Sequence, residues 1–401
     1  MSERVNLLNA SRHVSELADE PCKPLPFKPI SADSHITEPP NCYVDYIDPK
    51  YRDRAPRMQI NDKGGAVYVV EGMVDGKPYS VSYGGMSAAG RNPREIDIAG
   101  LRFEEVHEGG YDGKARIAAQ DRDGIGGEII YPSVGMVICN HPDAEFKQAC
   151  FKAYNRWLAE FQAAAPDRLF GLGQTAALSV EATLQDLREI KDAGFCGAMF
   201  PCEPATEFEY DDPRFDPVWE AAVDLGLPIA FHILTSKKGT KVRPDSPDEK
   251  GRGMAFFHHT LIRANQDVLS NFVWGRVFER FPRLRVVCAE ADAGWVPHFM
   301  YRLDHFYHRH RFHQDVPDME RLPSEQIQNN VYFTFQDDIV ALHSLDMLDP
   351  KRLLWANDFP HSDSTWPWSQ QLLTEHMAHL SEDERRWILR DNVIEAFNLP
   401  S

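Results

Sequence analysis

Residues 127–176 read GEIIYPSVGMVICNHPDAEFKQACFKAYNRWLAEFQAAAPDRLFGLGQTA. The first eight, GEIIYPSV, form a short apolar run of the kind that makes a buried strand, and the last eight, LFGLGQTA (169–176), repeat that character. Between them Phe146, Ala149, Cys150, Ala153, Trp157 and Phe161 recur every three or four residues, which places them on one face of a helix over 143–165. That stripe is core. A strand, a helix and a second strand in this order make a βαβ unit, and successive βαβ units build a parallel sheet.

Six further runs extend the pattern in both directions: PISADSHI (29–36), CGAMFP (196–201), PIAFHI (228–233), RVVCAEA (285–291), NVYFTFQ (330–336) and LLWANDFPH (353–361). Several are almost wholly apolar, as strands buried on both faces must be. Eight strands alternating with helices predict an α/β chain of the (β/α)8, or TIM barrel, type. A length of 401 residues suits one such barrel with insertions.

The barrel is expected over 29–399, preceded by a charged and then Pro-rich arm, 1–28, lying on the surface or on a neighbouring subunit. Residues 40–115 interrupt the alternation after strand one. Within them GAVYVVEGMVDGKPYSVSYGG (65–85) reads as two strands joined at the Asp75-Gly76 turn. The insertion is expected to cap one end of the barrel. A second insertion, roughly 236–257, is polar and Gly-rich before it turns apolar, as an active-site loop would be.

A composition of 43% hydrophobic and 11% aromatic residues supplies an ample core. The net charge of -18 argues against nucleic acid or an anionic membrane surface as a partner, because both reward clustered Lys and Arg. No apolar run approaches the roughly 20 residues of a membrane span, and the polar N-terminus is unlike a signal peptide. Seven cysteines without a C-x-x-C spacing read as buried thiols of a cytoplasmic protein. The expected partner is a small-molecule substrate, and the expected assembly a homo-oligomer, a dimer.

Active sites of such barrels lie at the C-terminal ends of the strands. Strand one ends in Asp33-Ser34-His35 with Glu38 just beyond, strand five in His232, strand six in Glu290 and Asp292, and strand eight in Asn357-Asp358. Taken singly, His232 reads as a core histidine, and Asp33 and Asp358 as turn formers or helix caps. Together at one barrel mouth, two histidines and several carboxylates are costly to bury without a cation. Mixed nitrogen and oxygen donors suit Zn or Mn, then Fe(II), better than Mg or Ca.

The strand-one stretch DSHITEPP, the strand-five FH, the strand-six FPRLRVVCAEADAGWVP and the strand-eight LLWANDFPHSDSTWP together resemble the amidohydrolase-related family that includes aminocarboxymuconate semialdehyde decarboxylase. The similarity runs from about residue 29 to 399 and includes the closing RDNVIEAFNL. It implies a barrel with one catalytic metal held by Asp33, His35, His232 and Asp358. Two positions depart from the commonest family pattern: Asp33 stands where a first histidine is usual, and Glu290 replaces the strand-six histidine. Strand four, CGAMFP, has no lysine, so a carbamylated lysine bridging two metals is a poor template.

The leading expectation is metal-assisted hydrolysis or nonoxidative decarboxylation of a small carboxylated or cyclic substrate, with Asp358, His232 and Glu290 as the catalytic groups. Glu38 and Glu290 are further metal-ligand candidates. Substrate contacts are sought at His361, at one of the neighbours His258 and His259, with His259 preferred, and at the cations Arg263, Arg156 and Lys237. Histidines 298, 305, 308, 310 and 313 read as surface or helix-packing residues. Two rivals stand beside this reading. The surplus carboxylates fit a two-metal monooxygenase of iron or iron and manganese, and a catalytically inactive partner subunit would also keep the fold.

Overall fold

The computed structural model describes residues 14–18, 22, 24–74, 76–236 and 251–400. Eight strands make one parallel sheet in the order β1 (Ile30–His35), β5 (Gly127–Tyr131), β6 (Leu169–Gln174), β7 (Gly197–Phe200), β8 (Ile229–His232), β9 (Val286–Ala289), β10 (Val331–Phe335) and β11 (Leu353–Trp355). Backbone bonds from Asp358 N to Asp33 O (3.0 Å) and from His35 N to Phe359 O (2.7 Å) join the last strand back to the first. This is the expected (β/α)8 barrel.

All eight sequence runs contain a strand, and each strand is shorter than its run. GEIIYPSV stops at Tyr131 because Pro132 cannot donate to a ladder and Val134 opens the helix Val134–Ile138. LLWANDFPH pairs only over Leu353–Trp355, and its Asp358 has φ 52°. The polar ends of these runs leave the ladder and become the loops at the barrel mouth, which frees their side chains for chemistry.

The helix Ala144–Gln162 carries the apolar stripe against the sheet, with Phe146, Cys150, Ala153 and Phe161 buried. Asp143 starts it by accepting a bond from Phe146 N. The insertion after β1 holds a three-stranded antiparallel sheet of β2 (Arg57–Ile60), β3 (Ala66–Val74) and β4 (Lys77–Ser82). The expected hairpin is β3 and β4, while β2 was not foreseen. Gly76 has φ +77°, as the turn requires, and Asp75 lies outside the described residues. The sheet is moored to the loop after β1, since Tyr83 OH donates to Glu38 O (2.7 Å) and Tyr68 OH to Pro39 O (3.2 Å).

Of the N-terminal arm, Val14 and Leu17 are buried against Leu372 of the same chain, and residues 1–13 lie outside the described set. So does most of the 236–257 loop, including Lys237. All seven cysteines are free. Among the described residues no helix is long and apolar enough to cross a membrane.

Candidate metal centre

Asp33 and His35 are two residues apart on β1, so the pleat turns both to the barrel interior. The ring of His35 is fixed by a bond from Nδ1 to Pro132 O (2.8 Å), and that of His232, the last residue of β8, by one from Nδ1 to Ile233 O (3.0 Å). A carbonyl only accepts, so each Nδ1 carries a hydrogen and each Nε2 faces inward, where an ion can take the place of its proton. Glu290 follows β9 directly, and Asp358 comes three residues after the end of β11. Both are left-handed, with φ 51° and 52°, a costly backbone for residues other than glycine. Glu290 is held there by its N–H donating to Thr334 Oγ1 (2.8 Å), and Asp358 by its bond to Asp33 O.

These elements bring six side chains to one point. His35 Nε2 lies 3.4 Å from Asp33 Oδ1, 3.4 Å from Glu290 Oε2 and 3.3 Å from Asp358 Oδ1. His232 Nε2 lies 3.1 Å from Glu290 Oε2 and 3.5 Å from Asp33 Oδ2. His361 stacks on His35 with ring centres 3.9 Å apart, and its Nδ1 is 3.1 Å from Asp358 Oδ1.

The electrostatics of this crowd are unbalanced. Burial penalises charge on every member, yet Asp33 and Glu290 outweigh it at His232, whose pKa is raised to about 10. Asp33 and Glu290 are lowered in return by the two histidines, against burial. Asp358 is raised well above the usual carboxylate range by burial and by the charges of Glu290, Asp33 and Asp363. Three carboxylates and two rings thus demand positive charge at one buried point.

A divalent cation answers that demand and fits the donors. Asp33 Oδ1, His35 Nε2, His232 Nε2, Glu290 Oε2 and both oxygens of Asp358 are buried without a hydrogen-bond partner. Left so, each costs free energy. Two donors bound to one ion at about 2.1 Å stand about 3.0–3.4 Å apart, close to the 3.1–3.5 Å found. Asp33, His35, His232 and Glu290 form one possible ligand group, and His35, Glu290, Asp358 and His361 a second. The groups share His35 and Glu290, so they overlap at one point.

A cavity of about 190 Å³ opens beside this point, lined by Asp33, Glu290, Asp292 and Asp363, by Thr334 and Gln336, and by apolar residues including Ile233, Leu261 and Phe335. The size suits a small molecule.

Several expected residues lie elsewhere. Glu38 is buried, but its Oε1 accepts from Ser133 N (3.1 Å) and Gly135 N (3.2 Å), so it caps the helix Val134–Ile138 and does not join the donor cluster. Both members of the histidine pair are exposed, but only His258 lines the cavity, because neighbours on a helix point about 100° apart. Arg263 is exposed and absent from the cavity wall. Arg156 faces outward from the helix Ala144–Gln162 and donates to Tyr46 O (2.6 Å). Histidines 298, 305, 310 and 313 make ring contacts along the outer helix Val296–His310 and the turn after it. Gln336 and Ser133 escaped the sequence reading, and of the pair His258 and His259 it preferred the one that does not line the cavity. Gln336 carried a signal, since it ends the run NVYFTFQ at the same barrel end as the other site residues.

A parallel barrel that gathers histidines and carboxylates at its strand ends defines a class of enzymes built around a metal at the barrel mouth. Residues 141–399 match the amidohydrolase family, and the chain belongs to it. Solved structures share the fold. An amidohydrolase from Mycobacterium avium subsp. paratuberculosis K-10 superposes with a TM-score of 0.74 at 21% identity, covering 93% of this chain and 100% of that one. The 5-carboxyvanillate decarboxylase of Sphingomonas paucimobilis gives 0.64 at 19% identity, covering 93% and 99%. The dihydroxybenzoic acid decarboxylase of Polaromonas sp. JS666, with bound manganese and the inhibitor 2-nitroresorcinol, gives 0.60 at 17% identity, covering 93% and 97%.

Proposed function

We propose that this chain is a nonoxidative decarboxylase of a small aromatic carboxylic acid, dependent on one divalent metal held by Asp33, His35, His232 and Glu290 with Asp358 at its side. The observation that carries the reading is the convergence of buried, unpartnered donor atoms from β1, β8, β9 and β11 beside a small cavity. The reactions named for the Sphingomonas and Polaromonas proteins support the choice of decarboxylation over hydrolysis. Manganese and zinc both suit the donor set, and the Polaromonas protein carries manganese. Bound here, such an ion supplies Lewis-acid stabilisation of negative charge on a substrate oxygen.

The chain's own residues do the rest. Burial and the neighbouring carboxylates raise the pKa of Asp358, which favours the acid form that a proton donor needs. The bond between the ring carbon and the carboxylate breaks, its electron pair stays on the ring carbon, and that carbon takes the proton of Asp358 as carbon dioxide leaves. Nothing is oxidised, so neither oxygen nor a redox metal enters the balance. The apolar wall of Ile233, Leu261 and Phe335 gives the ring a dry surface. The overlap of the two ligand groups at His35 and Glu290 supports one metal per chain over the two-metal oxygenase, and seven free thiols suit a reducing cytoplasm.

The test is carbon dioxide release by manganese-loaded protein from a panel of hydroxylated benzoates, 5-carboxyvanillate and 2,6-dihydroxybenzoate among them, under argon. Release that is independent of oxygen is expected. Turnover that requires oxygen, or that is confined to esters, amides and lactones, overturns the reading.

A further inference from the structure

Ser133, two residues beyond β5, places its Oγ 2.6 Å from Ile36 O and 2.8 Å from His361 Nε2, and His361 Nδ1 in turn lies 3.1 Å from Asp358 Oδ1. By composition this is a serine, a histidine and an aspartate in line, the constellation of a nucleophilic hydrolase. The polarity of the bonds runs the other way. A carbonyl oxygen only accepts and a hydroxyl has one proton, so the proton of Ser133 is committed to Ile36 O. Toward His361 the serine oxygen is therefore an acceptor, and Nε2 must carry hydrogen. In a triad the histidine Nε2 instead offers a lone pair to the serine proton.

The consequence is a ring set opposite to its neighbours. Carbonyls hold His35 and His232 as Nδ1–H forms that show Nε2 to the centre. Ser133 holds His361 in the Nε2–H form, and the edge it shows Asp358 is the Nδ1 lone pair. Stacking on His35, with ring planes 21° apart, leaves the ring little freedom to turn over.

We propose that Ser133 is a positioning residue that fixes His361 as the Nε2–H tautomer, so that the bare Nδ1 faces Asp358 Oδ1 and Ser133 is barred from acting as a nucleophile. The inference rests on hydrogen-bond geometry and stands whether the chain decarboxylates or hydrolyses its substrate.

Long-range proton–nitrogen NMR spectra of the full chain, labelled with nitrogen-15 at histidine and loaded with diamagnetic Zn(II), read the tautomer directly. His361 is identified by the signals that vanish in His361→Gln. In the wild type, Nε2 is expected to carry hydrogen and Nδ1 to be bare. Ser133→Ala is expected to lose this single form, and Ser133→Thr, which restores a hydroxyl, to regain it. A wild-type His361 with hydrogen on Nδ1, alone or together with Nε2, overturns the proposal, as does an unchanged tautomer in Ser133→Ala. If Ser133→Ala does not fold, the wild-type spectrum decides alone. Phenylmethylsulfonyl fluoride, which labels serine nucleophiles, is expected to leave Ser133 unmodified by mass spectrometry, and an adduct there also overturns it. Neither readout uses turnover, so a failed decarboxylase assay and a failed tautomer assignment are separate results.

Discussion

His232 and Glu290, from the ends of the adjacent strands β8 and β9, face each other with Nε2 and Oε2 3.1 Å apart, and neither atom has a hydrogen-bond partner. The pair is close enough for attraction, but the aligned geometry of a hydrogen bond is missing. Two donors aimed at a common third point look like this. Glu290→Gln keeps the shape and removes the charge, so it is expected to weaken manganese binding at least tenfold, measured by competition with a fluorescent chelator. An unchanged affinity would place Glu290 outside the metal shell.

The two imidazoles carry the same logic further. His35→Ala and His232→Ala each remove one of a handful of bonds to the ion, and each is expected to bring metal content below half occupancy by elemental analysis. The barrel should stay folded by circular dichroism, because both rings sit at strand ends and not in the hydrophobic core. Full metal content in either variant would strike that ligand from the set.

Asp358→Asn separates holding from proton transfer. The amide still offers an oxygen but neither carries nor accepts the proton at the position Asp358 supplies. Metal content close to wild type is expected, together with a fall in kcat of about 10²-fold or more. A rate within a few-fold of wild type would remove Asp358 from the proton step.

Much of this was legible in the sequence, for a plain reason. Strands buried on both faces are apolar along their length, so a polar residue at the C-terminal end of such a run stands out, and Asp33, His35, His232, Glu290 and Asp358 were each picked out as candidates that way. Glu38 was misjudged because a carboxylate three residues past a candidate ligand looks the same on paper whether it meets a metal or a helix N-terminus. Only the backbone path shows that it caps Val134–Ile138. His259 was preferred to His258 because helix phase is unreadable when the start of the helix follows a loop. Arg263 and Arg156 drew notice for charge alone, which says nothing of the direction a long side chain takes. Ser133 was missed because its role depends on which atom donates.

Beneath the centre, Arg116 is a buried clamp. Its Nε donates to Glu128, Nη1 to His35 O (2.8 Å) and Gly109 O (3.1 Å), and Nη2 to Phe359 O (3.2 Å). It thus ties together the backbones that carry His35 and Asp358. Arg116→Met leaves Glu128 buried without its cation, and a loss of about 3–5 kcal/mol is expected in urea denaturation. A loss under about 1 kcal/mol, the range of exposed pairs, would show that the clamp is dispensable.

The pKa of His232, raised to about 10, makes metal-free stability depend on pH. The sign follows from linkage. A group whose folded pKa exceeds its unfolded value of about 6.5 stabilises the fold fully below 6.5 and loses that contribution as pH rises through about 10. In EDTA the Tm is therefore expected to fall between pH 6.5 and 10 more steeply in the wild type than in His232→Ala. With the metal bound, the ion takes the place of the proton and the extra slope should vanish. Equal slopes in wild type and variant would contradict the assigned charge balance.

Crystals of the wild-type chain soaked in a manganese salt and measured at the manganese absorption edge test the central claim most directly. One anomalous peak per chain is expected, about 2.0–2.3 Å from His35 Nε2, from His232 Nε2 and from an oxygen of Asp33 or Glu290. No peak at the barrel mouth, two peaks of comparable height there, or a single peak more than about 4 Å from His232 Nε2, beyond any direct bond, would contradict it.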